Sequence, residues 1–218
     1  MLDIQKKQVV EMAKMAQQWG LCKHKAGNSS VRDKDTGYIL VTPTTIDKSV
    51  LTPRDIVVMD INANVIESES DLRPTSECLM HIEIYKARHD VFAISHTHSI
   101  YATSFAVLNK PIPAIVYECA ILNLKDGVIP VAPYGRPGTP ALSTSVIDPI
   151  LRADAILMEK HGVIGVDKEP YEAVLKSAYI EEMAEIYYHA LLINGGKEPE
   201  SFPPHELQSW AYPKEIKF

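Results

Sequence analysis

Val91-Phe92-Ala93-Ile94-Ser95-His96-Thr97-His98 is a short apolar run that delivers two histidines, one residue apart, at its end. A run of this length and composition reads as a buried strand. Residues two apart on an extended segment point to the same side, so both imidazoles can face one ion. A polar strand end would carry the same pair, because the chain has 8 histidines in 218 residues. His161 adds weight to the metal reading. It precedes Gly162 between two further strand candidates, Ala155 to Leu157 and Val163 to Val166, where a turn can project it into the same pocket. Three histidines with an open position are the ligand set of a catalytic zinc site rather than a closed structural one. His24, His81, His89, His189 and His205 lack such settings and read as surface or helix-face residues.

Outward from this strand, the spacing of Ile4, Val9, Val10, Met12, Ala13, Ala16 and Trp19 predicts an amphipathic helix that Gly20 stops. Strands are expected around Asn28 to Arg32, Tyr38 to Thr42 and Ile56 to Ile61, then at Ala114 to Tyr117 and Val128 to Val131. Helical spacing recurs over Glu77 to Lys86, Ile100 to Leu108 and Glu169 to Ile193, and Pro133 to Pro140 reads as a structured loop. No repeat or internal boundary interrupts the chain. It is expected to be a single domain over 1–218, with a tail from about residue 195 whose prolines and aromatic residues suit packing onto the rest. Strands and helices intermix without regular βαβ alternation, which favours a central, mostly antiparallel sheet with helices on its faces.

A chain of this length should bury roughly 70–75% of its unfolded surface, so any metal serves chemistry rather than folding. Hydrophobic residues at 46% and charged residues at 23% are ordinary for a globular domain and exclude low-complexity and disordered classes. The formal charge of −6, with no Lys/Arg cluster, argues against nucleic acid as a partner. Cys22, Cys78 and Cys119 are widely spaced, and the first residues carry charge where a signal peptide needs an apolar core. No stretch approaches the roughly 20 apolar residues of a membrane span. The expectation is a cytoplasmic protein.

Glu77 follows Pro74-Thr75-Ser76 at a predicted helix start, where Thr75 or Ser76 is expected to cap. An acid there offsets the helix dipole, worth about 0.3–1 kcal/mol, and needs no other explanation. The same start, with free N–H groups and two hydroxyls, also suits a substrate phosphate, and the carboxylate beside it suits a metal ligand or general base. Gly27-Asn28-Ser29-Ser30 and Thr42-Pro43-Thr44-Thr45 are further donor-rich loops that could equally be plain turns. Nucleophile-elbow, dinucleotide-binding and Walker motifs are absent.

Gly27-Asn28 with Ser30, Thr42-Pro43-Thr44, Pro74-Thr75-Ser76-Glu77 with His81, His96-x-His98, Ile112-Pro113-Ala114, Ala132-Pro133-Tyr134, Gly138-Thr139 and His161-Gly162 occur in order over nearly the whole chain. In this set the sequence resembles the class II sugar-phosphate aldolase/adducin family. The resemblance implies an α/β/α three-layer fold and a homotetramer with one zinc per subunit at subunit boundaries. It also implies cleavage of a ketose 1-phosphate, such as L-fuculose 1-phosphate or a similar 5-deoxyketose 1-phosphate, to dihydroxyacetone phosphate and an aldehyde such as lactaldehyde. Position by position, His96, His98 and His161 match the zinc histidines, and Glu77 matches the carboxylate that ligates zinc at rest and shuttles the proton. Gly27, Asn28, Thr44, Thr45, Thr75 and Ser76 match the phosphate-binding positions, with Thr45 in place of a frequent glycine. Tyr117 matches a tyrosine acting on the aldehyde oxygen, and Tyr212 is the candidate for a tail tyrosine supplied by a neighbouring subunit.

Chemically, breaking the bond between C3 and C4 leaves a carbanion that a divalent Lewis acid stabilises, with no lysine Schiff base required. The phosphate is expected to sit among neutral hydroxyl, amide and helix-start N–H donors. Within the family, ribulose-phosphate 4-epimerases usually carry Asp where this chain has Glu77. Methylthioribulose-1-phosphate dehydratases and sugar-acid phosphate decarboxylases remain alternatives on the same ligand set. An adducin-like binding module would have lost these ligands.

Overall fold

A computed structural model describes residues 2–208. In chain order it contains α1 (Asp3–Gln18), β1 (Asn28–Arg32), β2 (Ile39–Val41), β3 (Val57–Met59), β4 (Val65–Glu67), α2 (Cys78–Ala87), β5 (Ala93–Thr97) and α3 (Ile100–Val107). Then come β6 (Ile112–Pro113), β7 (Val128–Ile129), β8 (Val131–Ala132), α4 (Pro140–Ser145), α5 (Ile147–Ile150), β9 (Ala155–Met158), β10 (Gly162–Asp167), α6 (Pro170–Ile193) and α7 (Pro204–Gln208).

Eight strands form one sheet in the order β4-β3-β2-β1-β5-β10-β9-β8. Every pair is antiparallel except β8 with β9. Side-chain alternation sorts the strands between two faces. Leu40, Val58, Val31 and Ala93 point to the layer of α1 and the first turns of α6, while Ile39, Val41, Val57, Met59 and Ile94 point to the layer that includes α2. The result is the three-layer α/β/α arrangement expected from the sequence. β6 and β7 form a separate two-stranded pair.

Three local expectations are corrected. Ala114 to Tyr117 is not a strand: pairing stops at Pro113, and Tyr117–Leu122 winds into a 3₁₀ helix. Ala114 N still donates to Gly127 O at 3.0 Å, but its carbonyl accepts from Phe202 N at 2.8 Å and so leaves the ladder. Pro130 likewise divides Val128 to Val131 into β7 and β8, which pair with different strands. Finally, the residue that caps α2 is Glu77, not Thr75 or Ser76, and the Thr75 carbonyl accepts from Cys78 N at 3.1 Å. β4 has two of its three residues exposed, and its Val65-Ile66 pair is too short to show alternation. It is tied down by Lys6, which is buried in α1 and paired with Glu67 and Glu69.

α6 lies close against the sheet because β10 carries Gly165 at the crossing. A Cβ there would stand 2.7 Å from the Ala173 carbonyl oxygen and 2.8 Å from Ser177 Oγ. Both atoms belong to the helix, and Ser177 also donates to Ser95 O at 3.3 Å. Gly165→Ala should therefore push α6 off the sheet and cost about 1–3 kcal/mol, read as a lower denaturation midpoint in urea with an unchanged slope.

Candidate active site

β5 carries His96 near its end and His98 just beyond it, and both point to the α2 face. The turn between β9 and β10 carries His161. Because β10 pairs with β5 in the register Ile164 to His96, this turn lands beside the strand end. The approach demands glycine at 162: a Cβ there would lie 2.3 Å from the Thr97 carbonyl oxygen and about 3.1–3.2 Å from the His98 and His96 rings. Gly27, at φ +75°, similarly admits the Cys22 side chain and the His96 carbonyl, where a Cβ would meet them at 2.3 and 2.7 Å.

The three imidazoles converge, with ligand nitrogens within 4.8 Å of one another. His98 Nε2 is 3.0 Å from His96 Nε2. Glu77 reaches in from the start of α2, with Oε2 3.2 Å from His96 Nε2 and Oε1 3.0 Å from His161 Nε2. Nδ1 of His96 donates to Val163 O at 2.9 Å, which fixes the ring with Nε2 toward the other donors. Burial, and then repulsion from His96 and His161, push the His98 pKa down to about 3, so it is neutral at neutral pH, the form that a metal requires. Burial alone would raise the Glu77 carboxyl, but His96 and His161 hold it far below the usual carboxylate range. Four donors this close, one an anion that is 7% exposed, fit a divalent cation of the kind that nitrogen and oxygen ligands share.

Behind Glu77 runs a buried chain that the sequence reading missed. His81 is not a surface residue: it is fully buried, with Nδ1 2.7 Å from Ser30 Oγ and Nε2 2.5 Å from Asn28 Oδ1. Asn28 Nδ2 donates to Glu77 Oε2 at 2.7 Å, so its Oδ1 is the acceptor facing His81. Donor accounting then fixes the tautomer: His81 Nε2–H donates to Asn28, and His81 Nδ1 accepts from the Ser30 hydroxyl, which lies 2.8 Å from Tyr85 Oη. The signal was present, since His81 lies four residues beyond Glu77 on the same helix face.

Gly27, Asn28, Thr44, Thr45, Thr75 and Ser76 all line one cavity of about 380 Å³, together with Glu77, His98 and His161. Thr45 has φ +59°, a left-handed conformation that suits glycine and costs a β-branched residue about 1–3 kcal/mol. The lining also includes Lys25, Lys48 and Pro137. Two expected residues are not in this lining. Tyr117 opens the 3₁₀ helix and is 45% exposed, and Tyr212 lies outside the described residues.

Residues 7–188 match the model of the class II aldolase and adducin N-terminal domain. The chain belongs to that family. It is 30% identical over 211 residues to the 5-deoxy-D-ribulose 1-phosphate aldolase of Bacillus thuringiensis serovar kurstaki, covering 97% of this chain and 95% of that one. It is 33% identical over 187 residues to the L-fuculose phosphate aldolase of Escherichia coli K12, covering 86% and 84%. A solved L-fuculose 1-phosphate aldolase superposes with a TM-score of 0.86 at 33% identity, covering 94% of this chain and 92% of the other. Like other members of this metal-dependent family, the protein is an enzyme of the lyase class.

Burial holds the His81 pKa down to about 3, whereas in the unfolded chain it returns to about 6.5. The unfolded state therefore binds more protons between those values. The stability tied to neutral His81 is complete above about pH 6.5 and is lost as pH falls toward 3, by up to about 1.4 kcal/mol per unit. Urea melts of wild type and His81→Gln between pH 7 and 5 should show the variant less stable at pH 7 but with a shallower pH dependence, by one proton's worth.

Proposed function

We propose that this protein uses zinc to split the C3–C4 bond of L-fuculose 1-phosphate, or of a similar 5-deoxyketose 1-phosphate, into dihydroxyacetone phosphate and a short aldehyde such as lactaldehyde. The observation that carries the reading is the Glu77 carboxylate, held between His96 and His161 at the wall of a cavity lined by hydroxyls. His96, His98 and His161, with Glu77 before substrate arrives, would hold the ion. Bound there, zinc would supply Lewis-acid polarisation of the substrate's carbonyl and hydroxyl oxygens.

Everything else is work for this chain's own side chains. Gly27, Asn28, Thr44, Thr45, Thr75 and Ser76 bind the phosphate, which places the substrate's carbon skeleton toward the imidazoles. Glu77 delivers a proton to the carbon left by bond cleavage and removes it again in the condensation direction. For that, its oxygen must point at one carbon, and the His81–Asn28 pair holds it by the amide bond at Oε2. Tyr117 would act on the aldehyde oxygen. Because it stands outside the lining of its own chain's cavity, we assign it, with Tyr212, to the site of a neighbouring copy in a homotetramer. The apolar surface formed by Ile100, Leu108, Tyr188 and Leu192 along α3 and the end of α6 supports association of copies. Among the described residues no helix is long and apolar enough to cross a membrane, and all three cysteines are free. We place the reaction in the cytoplasm.

A panel of ketose phosphates, read for dihydroxyacetone phosphate against isomerised or dehydrated product, tests the reading. The triose phosphate should appear from a deoxyketose 1-phosphate, and an isomer without it would make the protein an epimerase. Glu77→Gln should retain most of its metal by elemental analysis while losing about 10²–10⁴-fold in turnover. His96→Ala should lose both metal and turnover.

A further inference from the structure

Three lysines are buried among the described residues: Lys6, Lys48 and Lys176, at 1%, 2% and 7% exposure. Two of them are neutralised where they stand. Lys6 pairs with Glu67 and Glu69, and Lys176 pairs with Asp154 at 2.9 Å and Asp167 at 2.7 Å. The Lys48 ammonium makes no ion pair and no hydrogen bond among the described residues; only its backbone carbonyl is bonded, accepting from Leu51 N at 3.2 Å. A buried ammonium without a counter-charge is costly, and natural folds rarely keep one without a use for it.

Its neighbours do not supply the missing anion. Asp47, adjacent in sequence, attracts Lys48 only through space and forms no ion pair with it: its carboxylate accepts from Ser49 N at 2.9 Å, Ser49 Oγ at 2.8 Å and Gln17 Nε2 at 3.3 Å. The thiol of Cys22 is the other nearby group, and it makes a weak bond to the His96 carbonyl at 4.0 Å rather than an ion pair with Lys48. Desolvation in turn lowers the Lys48 pKa. The backbone under Lys48 is fixed by a 3₁₀ turn capped by Asp47 and by the left-handed Thr45 before it. That turn brings Lys48 to the wall of the cavity that holds Thr44, Thr45, Thr75 and Ser76.

We propose that Lys48 is the counter-charge of the phosphate subsite, so that substrate is held by a buried ammonium as well as by the neutral donors expected from the sequence. This rests on reading the cavity as a sugar-phosphate site. The hydroxyls around it supply short donors for phosphate oxygens, and Lys48 supplies the full charge that they lack. An anion entering the cavity would offset the ammonium's desolvation, so in the ligand-free protein Lys48 stands as a stability cost retained for binding.

The test is binding of inorganic phosphate to the metal-loaded protein, followed by thermal denaturation and calorimetry, which need no turnover. Lys48→Met should melt higher than wild type without phosphate, and its phosphate affinity should fall about ten- to hundredfold, the worth of a hydrogen bond to a charged group. Lys48→Gln serves as the second variant should the methionine disturb folding, and the same loss is expected of it. In turnover, KM for the phosphorylated ketose should rise by a similar factor while kcat changes little. Equal phosphate affinity in wild type and both variants would overturn the role of Lys48 and leave the aldolase reading standing. Loss of phosphate binding in the variants, in a protein that cleaves no ketose phosphate, would uphold the anion site and sink the aldolase reading instead.

Discussion

A carboxylate that is 7% exposed persists inside this fold because imidazole nitrogens stand 3.0 and 3.2 Å from its two oxygens. Everything that brings Glu77, His96, His98 and His161 together must therefore be in place before the buried charge is tolerable. The sheet register does most of this. β5 sits between β1 and β10, so one strand end meets the donor-rich loop before β1 on one side and the β9–β10 turn on the other. Neither neighbour is adjacent in sequence. The antiparallel order is what makes residues near 28, 96 and 161 local to one another.

The site is also divided by polarity. On one side are three imidazoles and an anion, the donor set of a transition-metal ion. On the other are hydroxyls, an amide and a buried ammonium, which suit a ligand with several negative oxygens. Glu77 is the boundary between the two. Its orientation is set from behind, through Asn28 and the fully buried His81. A chain of neutral hydrogen bonds can hold a carboxylate in direction without placing another charge beside the metal ligands, which a lysine or arginine in the place of His81 would do.

Much of this was legible in the chain. The His-x-His pair at a strand end, the histidine on a turn before glycine, and the acid at a helix start each declared themselves through period and punctuation. The antiparallel sheet followed from the absence of regular βαβ alternation. What escaped notice depended on tertiary burial. Lys48 sits in a polar stretch, Asp47-Lys48-Ser49, that gives no sign of being interior, and β4 has too few buried side chains to show an alternating pattern. The strand expected over Ala114 to Tyr117 failed because the chain leaves its partner at Ala114, whose carbonyl is taken by Phe202 N, and then winds into a 3₁₀ helix from Tyr117.

The four candidate ligands lie far apart along the polypeptide, at the start of α2, the end of β5 and the β9–β10 turn. A shared ion would thus act as a removable cross-link between segments that an unfolded chain seldom brings near each other. Occupancy would add to folding free energy by mass action, and its loss would enlarge the fraction of molecules open to proteases. Through the spacing of four side chains, the lifetime of this polypeptide in a cell would then report how much free divalent metal that cell holds.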